Sequence, residues 1–383
     1  MLRLLVPREL ASGERRVAAT PETVRRLLAK GVNLQVQQGA GEAAGFGDAD
    51  FVAVGAELAP ADGLAWEQVD GVLCVQPPPL EQLARLQQGA LLVGLLAPYG
   101  ATGLAETLNG RQASAIALEL LPRISRAQSM DVLSSQANIA GYKAVLLAAA
   151  ALDRYVPMLM TAAGTIQPSR VLVLGAGVAG LQALATAKRL GGVVYVSDVR
   201  AAAKEQVESL GGRFIDPPQQ ADKPAEEGGY AKAASEAFLA AQRQQLAEQL
   251  ALADIVICTA LVPGRPAPRL ISEAMLDGMR PGAVVVDLAV AQGGNCFGTV
   301  AGTTVERRGV QLIGADALPS SVPNHASALY ARNVAALVEH LLAEEGLRLD
   351  PDDPILAGCL LTHAGLCRRE DVVYPPTSRP GDS

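Results

Sequence analysis

Residues 123–141, RISRAQSMDVLSSQANIAG, gather Arg123, Arg126, Gln128, Asp131, Ser134, Ser135 and Asn138 just ahead of an alanine-rich helical pattern. Capping of a helix that begins near Asp131 explains one or two of these side chains. It leaves the rest of the hydrogen-bonding set unexplained. A second cluster follows in VLVLGAGVAGLQALATAKRLGGVVYVSDVR, where Gly175, Gly177 and Gly180 have G-x-G-x-x-G spacing. Three glycines alone are a weak signal. Here they follow an apolar strand, open a helix and precede a second strand ending at Asp198, the context that makes the motif specific for a dinucleotide. Gly175 permits the tight turn, Gly177 the approach of backbone to a pyrophosphate, and Gly180 close helix–strand packing. Unpaired N–H groups and partial positive charge at the helix N-terminus favour phosphates. A carboxylate at Asp198 can accept the adenosine ribose hydroxyls and would repel a 2′-phosphate, which favours NAD(H) over NADP(H). Arg200, two residues on, can accommodate such a phosphate and keeps that choice open.

Oxidising an alcohol or amine with such a cofactor also moves a proton, so it needs a positioned acid or base. The three histidines are poor candidates. His340 lies on an amphipathic helix pattern and His363 in the C-terminal region. His325 falls near an expected domain junction, where a structural role is the commoner one. Cys359, His363 and Cys367 have C-x₃-H-x₃-C spacing, but "HAG" reads as a hairpin turn and three ligands make an incomplete structural zinc site.

The elements that must position these groups alternate strand and helix. Runs at 2–6, 33–37, 71–75, 91–96 and 114–118 read as buried strands, with helical patterns at 21–31 and 79–89 between them. A second series starts after Pro168, with strands at 170–175, 192–198, 254–260, 283–289 and 310–314. Such alternation predicts an α/β protein of two Rossmann-like, doubly wound parallel-sheet domains. Long helical patterns at about 130–155 and 328–342 would join them across a cleft. The expected domains are 1–137 with 320–383, and 138–319. The polar segment 216–236 breaks the alternation and reads either as a surface excursion or as a functional lid.

The chain of 383 residues is half hydrophobic and only 3% aromatic, which argues for closely packed α/β structure and against disorder. Its net charge of -7 gives no general attraction to phosphate backbones, excluding nucleic acid as the expected partner. Five scattered cysteines without C-x-x-C fit a reducing compartment. Charges come too early at the N-terminus for a secretory signal. The most apolar run, 144–152, is far too short to span a bilayer.

Several of these segments together are similar to a known family. PRISRAQSMDVLSSQANIAGYKAV, VLVLGAGVAGLQA, SDVRAAAKEQVESLGGRF, EGGYAK, TALVPGRPAP and VVVDLAVAQGGNC resemble the NAD(H)-binding domain I of proton-translocating NAD(P)+ transhydrogenase. The likeness runs from VPRE and ERRVAATPETV to about residue 375. Alanine dehydrogenase is related and shares the two-domain plan. Where that enzyme carries a substrate-binding Lys, this chain has Gln76, and the stretch VGLLAPYG lacks the catalytic His. The Arg of ERRV (Arg15 or Arg16) is retained. Such a pattern impairs deamination, but hydride transfer between two nicotinamides involves no substrate proton and relies on positioning and exclusion of water.

The resemblance implies that Arg123, Gln128, Asp131 and Ser134 surround the nicotinamide ring and carboxamide. By the same resemblance Ile124, Ser125 and Arg126 of that loop would also contact the cofactor. It further implies cofactor contacts at Val178, Val199, Arg200, Gln242 and Leu261. Gly229 and Tyr230 would belong to a mobile loop closing over the nucleotide. As in the family's split-subunit arrangement, the chain would be a homodimer held on the cytoplasmic face of the plasma membrane by membrane-spanning and NADP(H)-binding subunits. No metal is implied. A stand-alone amino-acid dehydrogenase and a non-catalytic NAD(H)-binding protein are the two alternatives.

Overall fold

The apolar runs become parallel strands because they are buried on both faces, as the central strands of a helix-covered sheet must be. The computed structural model describes residues 2–61, 63–218, 236–344 and 346–374. The chain divides into two units, Met1–Gln136 with Pro319–Ser383, and Ala137–Leu318.

In the first unit the parallel strands are β1 (Leu2–Val6), β2 (Val32–Gln37), β3 (Glu57–Ala59), β4 (Gly71–Leu73), β5 (Leu91–Gly94) and β6 (Ser114–Ala117). Their spatial order is β6-β5-β4-β1-β2-β3, so the winding reverses between β1 and β4. That is the doubly wound order, with its ligand crevice expected at the carboxyl ends of the strands. Successive residues feed opposite layers. Leu4 and Val6 join one apolar cluster with Tyr330, Val334 and Val338 of helix Pro323–Leu341, while Leu5 joins the other with Trp66 and Leu92. The strand Leu360–His363 adds antiparallel to β6 and turns back into Leu366–Cys367. Ala364 and Gly365, both at positive φ, make the turn, so the C-x₃-H-x₃-C stretch is not one helix.

Helix Pro21–Leu28 begins at an N-cap Thr20 whose N–H donates to Thr23 Oγ1 at 2.9 Å, with Pro at the first helical position. The predicted helix at 79–89 shrinks to Leu80–Leu83. Beyond it the hydrogen bonds tighten to Arg85 N–H→Gln82 O and Leu86 N–H→Leu83 O, an i→i−3 pattern that does not propagate.

The second unit carries a small hairpin, β7 (Leu159–Thr161) and β8 (Gly164–Ile166). Its main sheet contains β9 (Arg170–Leu174), β10 (Val193–Ser197), β11 (Arg213–Phe214), β12 (Ile255–Cys258), β13 (Val284–Asp287), β14 (Thr304–Arg307) and β15 (Val310–Gly314). The order is β11-β10-β9-β12-β13-β15-β14, parallel except for edge strand β14. Here the winding reverses between β9 and β12, beside the glycine turn. Helix Val132–Ala151 carries the chain from the first unit into the second. Among the described residues no helix is long and apolar enough to cross a membrane.

Candidate functional site

In the second unit the glycine turn leaves the carboxyl end of β9. Gly175 has φ 101°, and a Cβ built there would lie 2.7 Å from Thr259 Oγ1. At Gly180 a Cβ would lie 1.8 Å from the carbonyl oxygen of Gly175, so the helix can start this close to the strand only without a side chain. Gly177 differs. It is the N-cap of helix Val178–Arg189, and a Cβ there would meet no atom within 4 Å. Packing therefore accounts for two of the three glycines, and the third faces open space at a helix N-terminus. That is the open side a pyrophosphate requires, so the turn fits a dinucleotide.

Asp198, just past β10, closes the turn by accepting the Ala176 N–H at 2.6 Å. Its carboxylate also takes the Arg200 N–H at 2.8 Å and the Arg200 guanidinium at 3.0 and 3.1 Å. Burial works to raise the Asp198 pKa, but the Arg200 and Ala176 donors outweigh it and hold the carboxyl below its ordinary value. The carboxylate is thus ionised and largely covered, with 7% side-chain exposure, and its charge is partly neutralised by Arg200. Around this turn stand exposed apolar side chains: Val178, Leu261, Val262 and Val199, the last 83% exposed. Exposed apolar residues at the carboxyl end of a parallel sheet suit the flat face of a purine.

Thr259, Val262 and Asn295 belong to this neighbourhood although motif reading does not find them. Thr259 Oγ lies 3.0 Å from the carbonyl oxygens of both Leu174 and Gly175, bracing the turn. Asn295, fully buried, accepts the Ala260 N–H at 3.0 Å and donates to Ala260 O at 2.9 Å, fixing the chain beyond β12. These contacts join residues far apart in sequence, and only the position after an apolar strand could have flagged them. Gln242 lies half-buried on helix Glu236–Leu252. The described bonds of that helix run from Gln245 to Asp216 and between Gln249 and Arg170, not to the glycine turn. Gly229 and Tyr230 lie outside the described residues.

The polar loop of the first unit divides into two groups. Asp131 caps helix Val132–Ala151: Oδ1 accepts the Ser134 N–H at 2.9 Å and Oδ2 the Ser134 hydroxyl at 2.6 Å. Ser135 donates to Asn333 Oδ1 at 2.8 Å. Arg123, Ile124, Ser125, Arg126 and Gln128, by contrast, are exposed, and buried Ala127 and Met130 peg the loop between them. Asn138 bonds Gln182 at 3.2 Å within the second unit.

At the carboxyl end of the first sheet the two arginines of ERRV differ: Arg15 lies at the surface, whereas Arg16 is 4% exposed. Glu14 grips its guanidinium at 2.8 and 2.6 Å, and Gln136 Oε1 accepts from it at 3.0 Å. Gln76 donates to Glu14 at 3.0 Å, and the Ser320 hydroxyl also donates to Glu14. Burial would raise the Glu14 pKa, but these donors lower it to about 2. Nearby Glu9 accepts the Val75 and Gln76 N–H groups, and burial pushes it up to about 7. Three of the five Arg16 N–H groups are thus engaged within the chain, and the Glu14 carboxylate takes the side-on fork.

The histidines stand elsewhere. His340 pairs with Asp353 at 2.9 Å, His363 Nδ1 lies 2.9 Å from Ser114 Oγ, and His325 is exposed in the first turn of its helix. Among the described residues no cluster of His, Cys, Asp and Glu could hold a metal ion.

Comparison with known proteins agrees with this layout. The family model for the alanine dehydrogenase/PNT N-terminal domain matches residues 5–140, and the model for its C-terminal domain matches residues 144–370. The chain is 45% identical to an NAD(P) transhydrogenase subunit alpha polypeptide of Rhodospirillum rubrum, over 99% of this chain and 100% of that one. A solved transhydrogenase from Sinorhizobium meliloti superposes with a TM-score of 0.86 at 42% identity, covering 95% of this chain and 99% of its own. An L-alanine dehydrogenase structure superposes with a TM-score of 0.81 at 29% identity, covering 98% and 99%. Two Rossmann-type sheets, a dinucleotide turn and relatives of this extent show that the chain belongs to the alanine dehydrogenase/PNT family, as a component of the NAD(P) transhydrogenase alpha-subunit type.

Proposed function

We infer that the chain is the NAD(H)-binding catalytic subunit of a proton-translocating transhydrogenase, working as a homodimer. Residues 138–319 form the NAD(H)-binding domain, and residues 1–137 with 320–383 form the second domain, which presents the Arg123–Ser134 loop. Its partners are an NADP(H)-binding subunit and a membrane subunit that couples the reaction to proton movement and holds it on the cytoplasmic face. The bound cofactor supplies the chemistry, a hydride at its nicotinamide C4.

The residues of this chain then have positioning tasks. Gly177 and the helix N-terminus admit the pyrophosphate, and Val178, Val199 and Leu261 flank the adenosine. Asp198 reads the ribose hydroxyls and favours NAD(H) over NADP(H), less sharply than a lone carboxylate would because Arg200 shares its charge. Arg123 and Gln128 address the ring and its carboxamide.

The observation that carries this reading is the network in which Glu14 holds Arg16 and accepts from Gln76. An amino-acid dehydrogenase needs a free cation for its substrate carboxylate and a proton donor beside it. This chain buries Arg16 against its own glutamate and has Gln76 where the relative would have lysine. Direct hydride exchange needs neither. With NADH, pyruvate and ammonia the purified chain should show no turnover above background. Mixed with its membrane and NADP(H)-binding subunits it should reduce NADP+ from NADH. Robust amination of pyruvate would reverse the assignment toward amino-acid dehydrogenation.

A further inference from the structure

We propose that Asn333 is a positioning residue for hydride transfer, holding the turn that carries Gln128; this rests on the role given to Gln128 above. Gln128 is exposed, and its side chain has no hydrogen-bond partner among the described residues. Its placement is therefore set by backbone. The turn Ser125–Met130 is pegged by the buried side chains of Ala127 and Met130, and the bond from Asp131 N–H to Gln128 O is long at 3.4 Å. A stronger tether comes from a distant part of the chain. Asn333 Nδ2 donates to the carbonyl of Ser129, the residue next to Gln128, at 2.7 Å. Its Oδ1 accepts the Ser135 hydroxyl at 2.8 Å, in the first turn of the following helix. One amide thus ties the end of the polar turn to the start of the helix.

The platform behind Asn333 is rigid. Its helix, Pro323–Leu341, buries Tyr330, Val334 and Val338 in the first unit's core. Tyr330 donates to Cys74 O at 2.6 Å, and Glu22–Arg332 and Arg26–Glu339 ion pairs hold the same helix to Pro21–Leu28. A side chain fixed at its base and bonded at both ends of its amide transmits that rigidity to the peptide it holds. A misplacement of about 1 Å in a near-attack geometry costs on the order of a hundredfold in rate, so a tether of this kind has kinetic leverage without touching the reacting atoms.

The test uses Asn333→Asp, which keeps the shape, loses the donor and sets an acceptor against the Ser129 carbonyl. In the chain assembled with its membrane and NADP(H)-binding subunits, stopped-flow hydride transfer should slow about tenfold. NADH affinity, read by fluorescence on the isolated chain, should stay within threefold, and the acceptor–acceptor contact should lower the thermal midpoint by only a few degrees. The double variant Asn333→Asp/Gln128→Asn should be no slower than Gln128→Asn alone, because both act through one side chain. A purely structural asparagine would instead lower the midpoint without slowing transfer in the folded complex, or its effect would multiply with that of Gln128→Asn. If Asn333→Asp does not fold, Ser135→Ala removes the other end of the bracket and should slow transfer at unchanged NADH affinity. A wild-type rate in the folded variant, or multiplicative effects in the double variant, would overturn the proposal while leaving Gln128 in its role. A wild-type rate in Gln128→Asn would remove the underlying reading instead.

Discussion

Gly177→Ala should fold like the unmodified chain yet bind NADH about ten- to a hundredfold more weakly, a loss of the order of 1.4–3 kcal/mol. The added methyl meets no protein atom within 4 Å, and the Gly177 backbone, at φ -77°, suits alanine. Any penalty must then come from a ligand that needs that space. Gly180→Ala should fail on both counts. Its methyl would lie 1.8 Å from Gly175 O and 3.2 Å from Thr259 Oγ1, so the strand–turn–helix unit has to open. Overpacking of this kind should lower the thermal midpoint by roughly 5–10 °C and remove measurable NADH binding. Calorimetry and fluorescence titration of the two variants side by side check the pair. Unchanged NADH affinity in Gly177→Ala would place the pyrophosphate elsewhere.

Gln128→Asn should slow hydride transfer by about ten- to a hundredfold while NADH affinity stays within about threefold. The shorter side chain draws the amide back by one methylene from the position proposed for it at the ring. The turn itself should hold, because its anchors are Ala127, Met130 and the Asn333 tether, none of which the substitution touches. Slowed chemistry with preserved ground-state binding marks an interaction used mainly in the transition state. Asp131 provides the contrast. It caps the long helix through Ser134, so Asp131→Ala should lose stability as well as rate. Stopped-flow transfer in the assembled complex measures the first effect, and thermal melts separate the two residues. A wild-type transfer rate in Gln128→Asn would show that the loop serves as scaffold.

Much of this was legible in the chain because parallel strands are continuous apolar runs. Leu2–Val6 and Val310–Gly314 match the expected segments residue for residue, and the glycine spacing located the turn. Strands that escaped notice are short or lie at an edge. Glu57–Ala59 and Arg213–Phe214 offer too few residues for a pattern, and Thr304–Arg307 is half exposed and antiparallel. The polar loop was visible as a composition, but its division was not. Capping by Asp131 follows from local spacing, whereas the Asn333 bracket joins segments far apart in the chain and has no local signature. Similarly, nothing in the ERRV motif distinguishes Arg15 from Arg16. Their burial does: Arg16 is enclosed with Glu14 and with Gln136, a partner brought to it only by the fold. The place of Asp198 after a strand is legible in the sequence, yet the fold of Arg200 back onto its carboxylate tempers the selectivity that charge alone implies.

In the proposed reaction hydride passes directly from a nicotinamide held by this chain to one held by its partner. Deuterated NADH, labelled at the transferable C4 position, reports on it most directly. With NADP+ and the assembled complex in ordinary water, the deuterium should appear at C4 of the NADPH formed, one label per turnover and none in solvent. NADPH carrying solvent hydrogen at C4, or oxidation of the labelled NADH without NADPH formation, would contradict direct transfer.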